Sequence, residues 1–156
     1  MDIDFSRLQR GDILSALGGL LMVLSLFLPW FSVDLNENQV LCGAGDSSCT
    51  AFETFNILDF LLIAGAFAPL ILVWIIIRGH QLSWPPGEVT AIVGIAASAL
   101  ILYNGLIDRV GDERSAVQLD YGWYLGLAAS LLLLVGAANV QMLRGGAVRR
   151  PPGTFR

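Results

Sequence analysis

The stretch Ile13 to Val33, ILSALGGLLMVLSLFLPWFSV, carries no charged residue along its whole length. Ten of the residues between Ile13 and Leu28 are Leu, Ile, Phe or Val. Each favours insertion near a helix centre by about 0.3–0.6 kcal/mol, so the run supplies about 3–6 kcal/mol with no charge opposing it. About 20 helical residues, rising 1.5 Å each, cross a bilayer's hydrocarbon core. The stretch therefore predicts a transmembrane helix. A cleaved secretory signal is the competing reading. Against it, the apolar run is too long, the preceding MDIDFSRLQRGD holds three Asp beside two Arg, and no small-x-small site follows. An uncleaved helix is expected.

Working outward, three further runs have the same character, giving predicted spans at Ile13 to Val33, Ile57 to Ile77, Glu88 to Ile107 and Gly122 to Leu143. The 156 residues are 55% hydrophobic and only 14% charged, where a soluble domain would carry nearer a quarter charged. The expected fold is all-α: a four-helix transmembrane bundle over residues 1–145, with one cysteine-bearing outer loop and a flexible cytoplasmic tail at 146–156.

Basic residues are retained in the cytoplasm and set the orientation. All nine are Arg. Arg7, Arg10, Arg78, Arg144, Arg149, Arg150 and Arg156 fall on one side of the predicted spans, and only Arg109 and Arg114 on the other. Both termini are therefore expected inside, in the multi-pass topology of a cell membrane protein. Nine acids accompany the two outer arginines, which leaves the outer side at −7 and the inner side at +3 of the total −4. The Arg-rich tail reads as the topology determinant, with contact to anionic lipid as the alternative. The absence of Lys beside abundant Ala, Gly and Leu fits a high-GC bacterial genome.

The longest connection, DLNENQVLCGAGDSSCTAFETFN, holds both cysteines. Cys42 and Cys49 enclose the turn formers GAGDSS, and in an oxidising compartment a structural disulfide is the plain reading. A redox or metal pair is the sharper one, but C-x6-C is neither a zinc nor a thioredoxin spacing, and the lone His80 is placed on the opposite side. Asn56 stands three residues before Asp59, as a helix N-cap ahead of an acid in the first turn. Asp59 is either that terminal anchor or a cation site at the mouth of the helices. Pro69 interrupts the second span, where it removes a backbone donor and crowds the carbonyl of Gly65.

Small residues recur every four positions in three rows: Gly11, Ser15 and Gly19; Thr90, Gly94 and Ser98; Gly122, Gly126 and Ser130. Such rows let backbones approach closely, either as internal seams or as a homodimer interface. Aromatics gather near the predicted outer boundary (Trp30, Phe31, Phe55, Phe60, Tyr121, Trp123, Tyr124) and near the inner one (Trp74, Trp84), as in a membrane belt.

No zincin, Walker, nucleophile-elbow or haem-attachment motif occurs, so no enzyme, cofactor or metal is expected. No charged pair falls at mid-membrane, which disfavours a single-subunit carrier; a homo-oligomeric cation channel or transporter subunit with acids at its mouth stays open.

The run Ser25 to Phe31, S-L-F-L-P-W-F, follows the entry Arg10-Gly11-Asp12 and precedes Ala51-Phe52-Glu53 and Phe55 to Asp59. This layout resembles small four-span membrane proteins of actinobacteria, a group from which no activity carries over. Claudin-type four-span proteins share two cysteines in the first outer loop. This chain departs from them: no G-L-W triplet precedes Cys42, and the loop is too short for that family's extracellular sheet. The functional expectation is a non-enzymatic membrane protein whose partners are the lipid bilayer and other membrane proteins or itself, with no nucleic acid. It would serve as an accessory or scaffolding subunit of a bacterial envelope complex.

Overall fold

A computed structural model describes residues 8–33, 48–54, 58–79, 85–107 and 117–145. The chain is mostly helical. In order it forms α1 (Arg10–Leu26), β1 (Pro29–Val33), β2 (Ser48–Thr50), α2 (Ala51–Thr54), α3 (Leu58–Ile77), α4 (Pro86–Leu106), β3 (Val117–Leu119) and α5 (Tyr121–Gly145). Among the described residues three helices are long and apolar enough to cross a membrane, over Phe60–Ile77, Gly87–Leu106 and Tyr121–Leu143.

The first apolar stretch corrects two expectations. Its helix begins earlier than predicted, at Arg10, and ends at Leu26; the predicted remainder turns at Phe27 and becomes a strand. The chain is therefore not all-α. β1 is the central strand of a three-stranded antiparallel sheet, ordered β2-β1-β3, that sits over one end of the helices. Pro29 has no N–H to continue a helix, and the Trp-Phe-Ser-Val that follows favours extended backbone.

A register irregularity between Pro29 and Phe31 makes Trp30 an extra residue opposite β2. Such a bulge re-aims side chains, so that neighbouring Trp30 and Phe31 are both fully buried instead of alternating. The Trp30 indole N–H donates at 2.7 Å to the Ser25 carbonyl near the end of α1, which also accepts the Leu28 N–H, and the backbone N–H of Asp120 donates to the Trp30 carbonyl at 2.9 Å.

α5 lies at the centre of the helix packing and touches both α1 and α4, while α3 touches α1 and α4. On α1 the buried positions Gly11, Ser15, Gly18, Met22 and Ser25 step by four and three, and a second buried stripe, Asp12, Gly19 and Leu26, steps by seven. On α5 the steps are the same, through Gly122, Gly126, Ala129, Leu133, Gly136 and Val140. This spacing of three and a half residues keeps one face turned to a neighbour, the arrangement of supercoiled helix pairs. α1 and α5 run antiparallel: a Cβ at Gly11 would lie 2.6 Å from the Gly136 carbonyl oxygen, and one at Gly18 would lie 3.0 Å from that of Ala129.

At the opposite end from the sheet, the Pro85–Pro86 pair starts α4, with Pro86 in the first turn where a missing N–H costs nothing. α3 closes on Gly79, whose φ of 74° only glycine adopts freely.

Candidate functional site

The small-residue rows resolve into two seams and one separate contact. In the first row Ser15 and Gly11 face α5, with Ser15 against Gly136, whereas Gly19 turns to α3. A Cβ at Gly19 would lie 2.5 Å from the Ala66 carbonyl oxygen and 3.0 Å from Cγ of Pro69. The proline of α3 is thus packed where α1 has no side chain. In the last row Gly122 and Gly126 lie against Trp30, and Ser130 faces α4. The first and last rows divide because residues four apart drift round a helix, and buried stripes here alternate steps of three and four. Thr90 and Gly94 are buried on α4, and a Cβ at Gly94 would meet the Leu134 side chain at 2.9 Å.

Between α4 and α5 the hydroxyls of Ser98 and Ser130 are 2.8 Å apart. Each is also 2.8 Å from a carbonyl of its own helix, Gly94 for Ser98 and Leu127 for Ser130. One hydroxyl donates across the seam and the other donates to its carbonyl, so the pair is a neutral hydrogen-bonded link between two helices. Asn104 and Asn139 spend an amide N–H on the carbonyls of Leu100 and Val135. Each of these amides thus bonds the carbonyl four residues before it in its own helix.

The aromatic belt also divides. Phe60, Tyr121 and Tyr124 are 74%, 56% and 57% exposed, as an interfacial belt requires. Trp30, Phe31 and Trp123 are core residues instead. The Trp123 N–H donates to the Ile101 carbonyl at 2.9 Å, so this indole is a buried seam residue with its polar handle satisfied. Gly105, which a sequence reading by fours does not single out, is the position that admits its ring. Gly136 and Gly18 were missed in the same way; seven-residue spacing, 98–105 for Gly105, 122–129–136 for Gly136 and 11–18–25 for Gly18, is the signal that finds all three.

α3 and α4 meet more loosely. A cleft of about 310 Å³ opens between them, lined on α3 by Leu61, Ala64 and Gly65 and on α4 by Ile92, Val93 and Ala96. Small side chains keep it open, since the nearest atom to a Cβ at Gly65 is Cγ1 of Val93 at 3.3 Å.

Over the sheet end, Cys49 is fully buried opposite Phe31 and is not a free thiol. Thr50 and Glu53 hold the start of α2: the Glu53 carboxylate accepts from the Thr50 N–H at 2.9 Å, one half of a capping box, and from the Thr50 hydroxyl at 3.0 Å. The backbone bond first and the hydroxyl second hold the Glu53 carboxyl below its ordinary value of 4.5. Asp59 is the second residue of α3. Its side chain lies outside the described residues, as do Cys42, Asn56, Phe55, His80, Trp84 and residues 146–156. Among the described residues no group of three or more His, Cys, Asp or Glu is placed to hold a metal. No protein-family model and no curated protein matches the chain.

Proposed function

We propose that this is a multi-pass protein of a bacterial cell membrane that crosses four times with both termini inside and works by binding, as an accessory or scaffolding subunit of an envelope complex. The fourth crossing is α1. The outward side of the helix and its C-cap is Ile13, Leu17, Leu20, Leu24 and Phe27, all exposed and spaced by three and four, an apolar stripe suited to hydrocarbon. The positive-inside distribution of Arg supports the orientation. Cys42, the chain's other cysteine, is the proposed disulfide partner of Cys49; a non-reducing peptide map lacking a Cys42–Cys49 cross-linked peptide would remove that bond.

The observation that carries the binding reading is how the small residues are allocated. Gly11, Gly18 and Gly19 of α1, Gly94 of α4 and Gly122, Gly126 and Gly136 of α5 are packed against other parts of the chain, whereas Ala64, Gly65 and Ala96 border an open apolar cleft where a further membrane helix has room to pack closely. The test is gentle extraction of the tagged protein with photo-cross-linkers at Ala64 and Ala96, followed by mass spectrometry. A stoichiometric foreign membrane protein cross-linked at those sites is expected. A chain that emerges alone, with only lipid adducts, would end this reading.

The second reading, a homo-oligomeric cation channel, draws on the outer charge of −7 and on Asp59. Cross-links only to a second copy would bring it forward, and cation flux in liposomes unchanged by Asp59→Asn would exclude Asp59 as its selectivity site.

A further inference from the structure

We infer that Trp74 and Arg78, at the end of α3 away from the sheet, form a seat for a phosphate group, and that an anionic phospholipid headgroup supplies it. The two residues lie one turn apart, and the Arg78 guanidinium carbon stands 4.4 Å from the centroid of the Trp74 ring. Both side chains are exposed. The guanidinium lies over the indole, and an arginine's planar fork of N–H donors is the group that grips phosphate through two parallel hydrogen bonds. Among the described residues no carboxylate pairs with Arg78.

The depth is right for a headgroup. Ile77 is the last residue of the apolar span, so Arg78 stands where acyl chains give way to phosphates, with the indole on the hydrocarbon side. The turn that carries them is fixed: the Arg78 N–H donates to the Trp74 carbonyl at 3.2 Å, and the Gly79 N–H to that of Ile76 at 3.0 Å.

The inference rests on α3 crossing a bilayer, so insertion into neutral phosphatidylcholine vesicles is checked first. A chain that does not insert overturns both readings at that step. The full chain in mild detergent is then titrated with phosphatidylglycerol, phosphatidylcholine and inorganic phosphate, with bound lipid read by native mass spectrometry. Preference for phosphatidylglycerol is expected. Arg78→Gln should weaken it about fivefold, as loss of one interfacial basic residue implies, and Trp74→Leu about two- to threefold through the lost stacking. Arg78→Lys, which keeps the charge without the planar fork, should fall between wild type and Arg78→Gln. Phosphatidylglycerol binding unchanged by Arg78→Gln would overturn the site, and displacement of the lipid by inorganic phosphate at equal concentration would overturn the lipid source.

Discussion

The indole N–H of Trp123 bonds to the carbonyl of Ile101 directly beside Gly105, and the ring occupies the space a side chain at Gly105 would need. α4 and α5 are held together there by a bulky residue seated on the absence of one. Gly105→Ala should therefore destabilise the chain by about 1–3 kcal/mol despite alanine's better helix propensity, because the added methyl meets a rigid ring with little room to move. Unfolding in a mild detergent by thermal or denaturant titration measures this. Stability equal to wild type would mean that the ring does not sit against Gly105.

The α1–α5 seam and the α3–α4 cleft should respond oppositely to the same substitution. At Gly136 a methyl would collide with Ser15 and lie 2.8 Å from the Gly11 carbonyl oxygen, so Gly136→Ala should cost about 1–3 kcal/mol. At Gly65 the single close neighbour is one methyl of Val93, and Gly65→Ala should be neutral or stabilising by up to about 1 kcal/mol. The same unfolding assay reads both variants, and equal losses would contradict the looser packing of α3 on α4.

The Ser98–Ser130 link should be worth little. Each hydroxyl keeps a carbonyl of its own helix when the other is removed, so a double-mutant cycle of Ser98→Ala and Ser130→Ala should give a coupling of about 0.6 kcal/mol. A coupling of several kcal/mol would indicate a larger network through this pair.

Acid should loosen the corner between β2 and α2. The Glu53 carboxyl is held below its ordinary value by two bonds from Thr50, so its contribution is complete above that value and is lost as pH falls through the lowered folded one. Hydrogen exchange of the Thr50 amide, corrected for its intrinsic pH dependence, should show protection falling in that acid range. Glu53→Gln should weaken protection at neutral pH and flatten its pH profile.

The long helices were legible because their evidence is local. Spans expected at Ile57 to Ile77, Glu88 to Ile107 and Gly122 to Leu143 differ from the observed helices by at most two residues at either end. Pro85–Pro86 and Gly79 mark boundaries by backbone chemistry alone. The sheet was not legible, because its cause is distant. An apolar run does not separate a buried strand from the end of a helix. Trp30 leaves the helix direction to reach the Ser25 carbonyl and to fill the space over Gly122 and Gly126, almost a hundred residues further along the chain. β2 and β3 are three residues each, too short to announce themselves, and exist because β1 lies between them. In the seams, counting by fours found glycines but grouped those of different interfaces. The Thr50-x-x-Glu53 pattern, by contrast, is a local signal of a helix start that the sequence carries openly.

Ending α1 at Leu26 also makes the protein lopsided. Its 17 residues rise about 26 Å, beside an antiparallel α5 whose 25 residues rise about 38 Å. In a bilayer, lipids along the α1 flank meet a wall shorter than the hydrocarbon they must match, and those along α5 meet one taller. With α1 as the fourth crossing proposed above, the membrane would pinch on one flank, the long helix would lean on the other, and the chain would gain a preference among membranes of different thickness that a set of equal helices would lack.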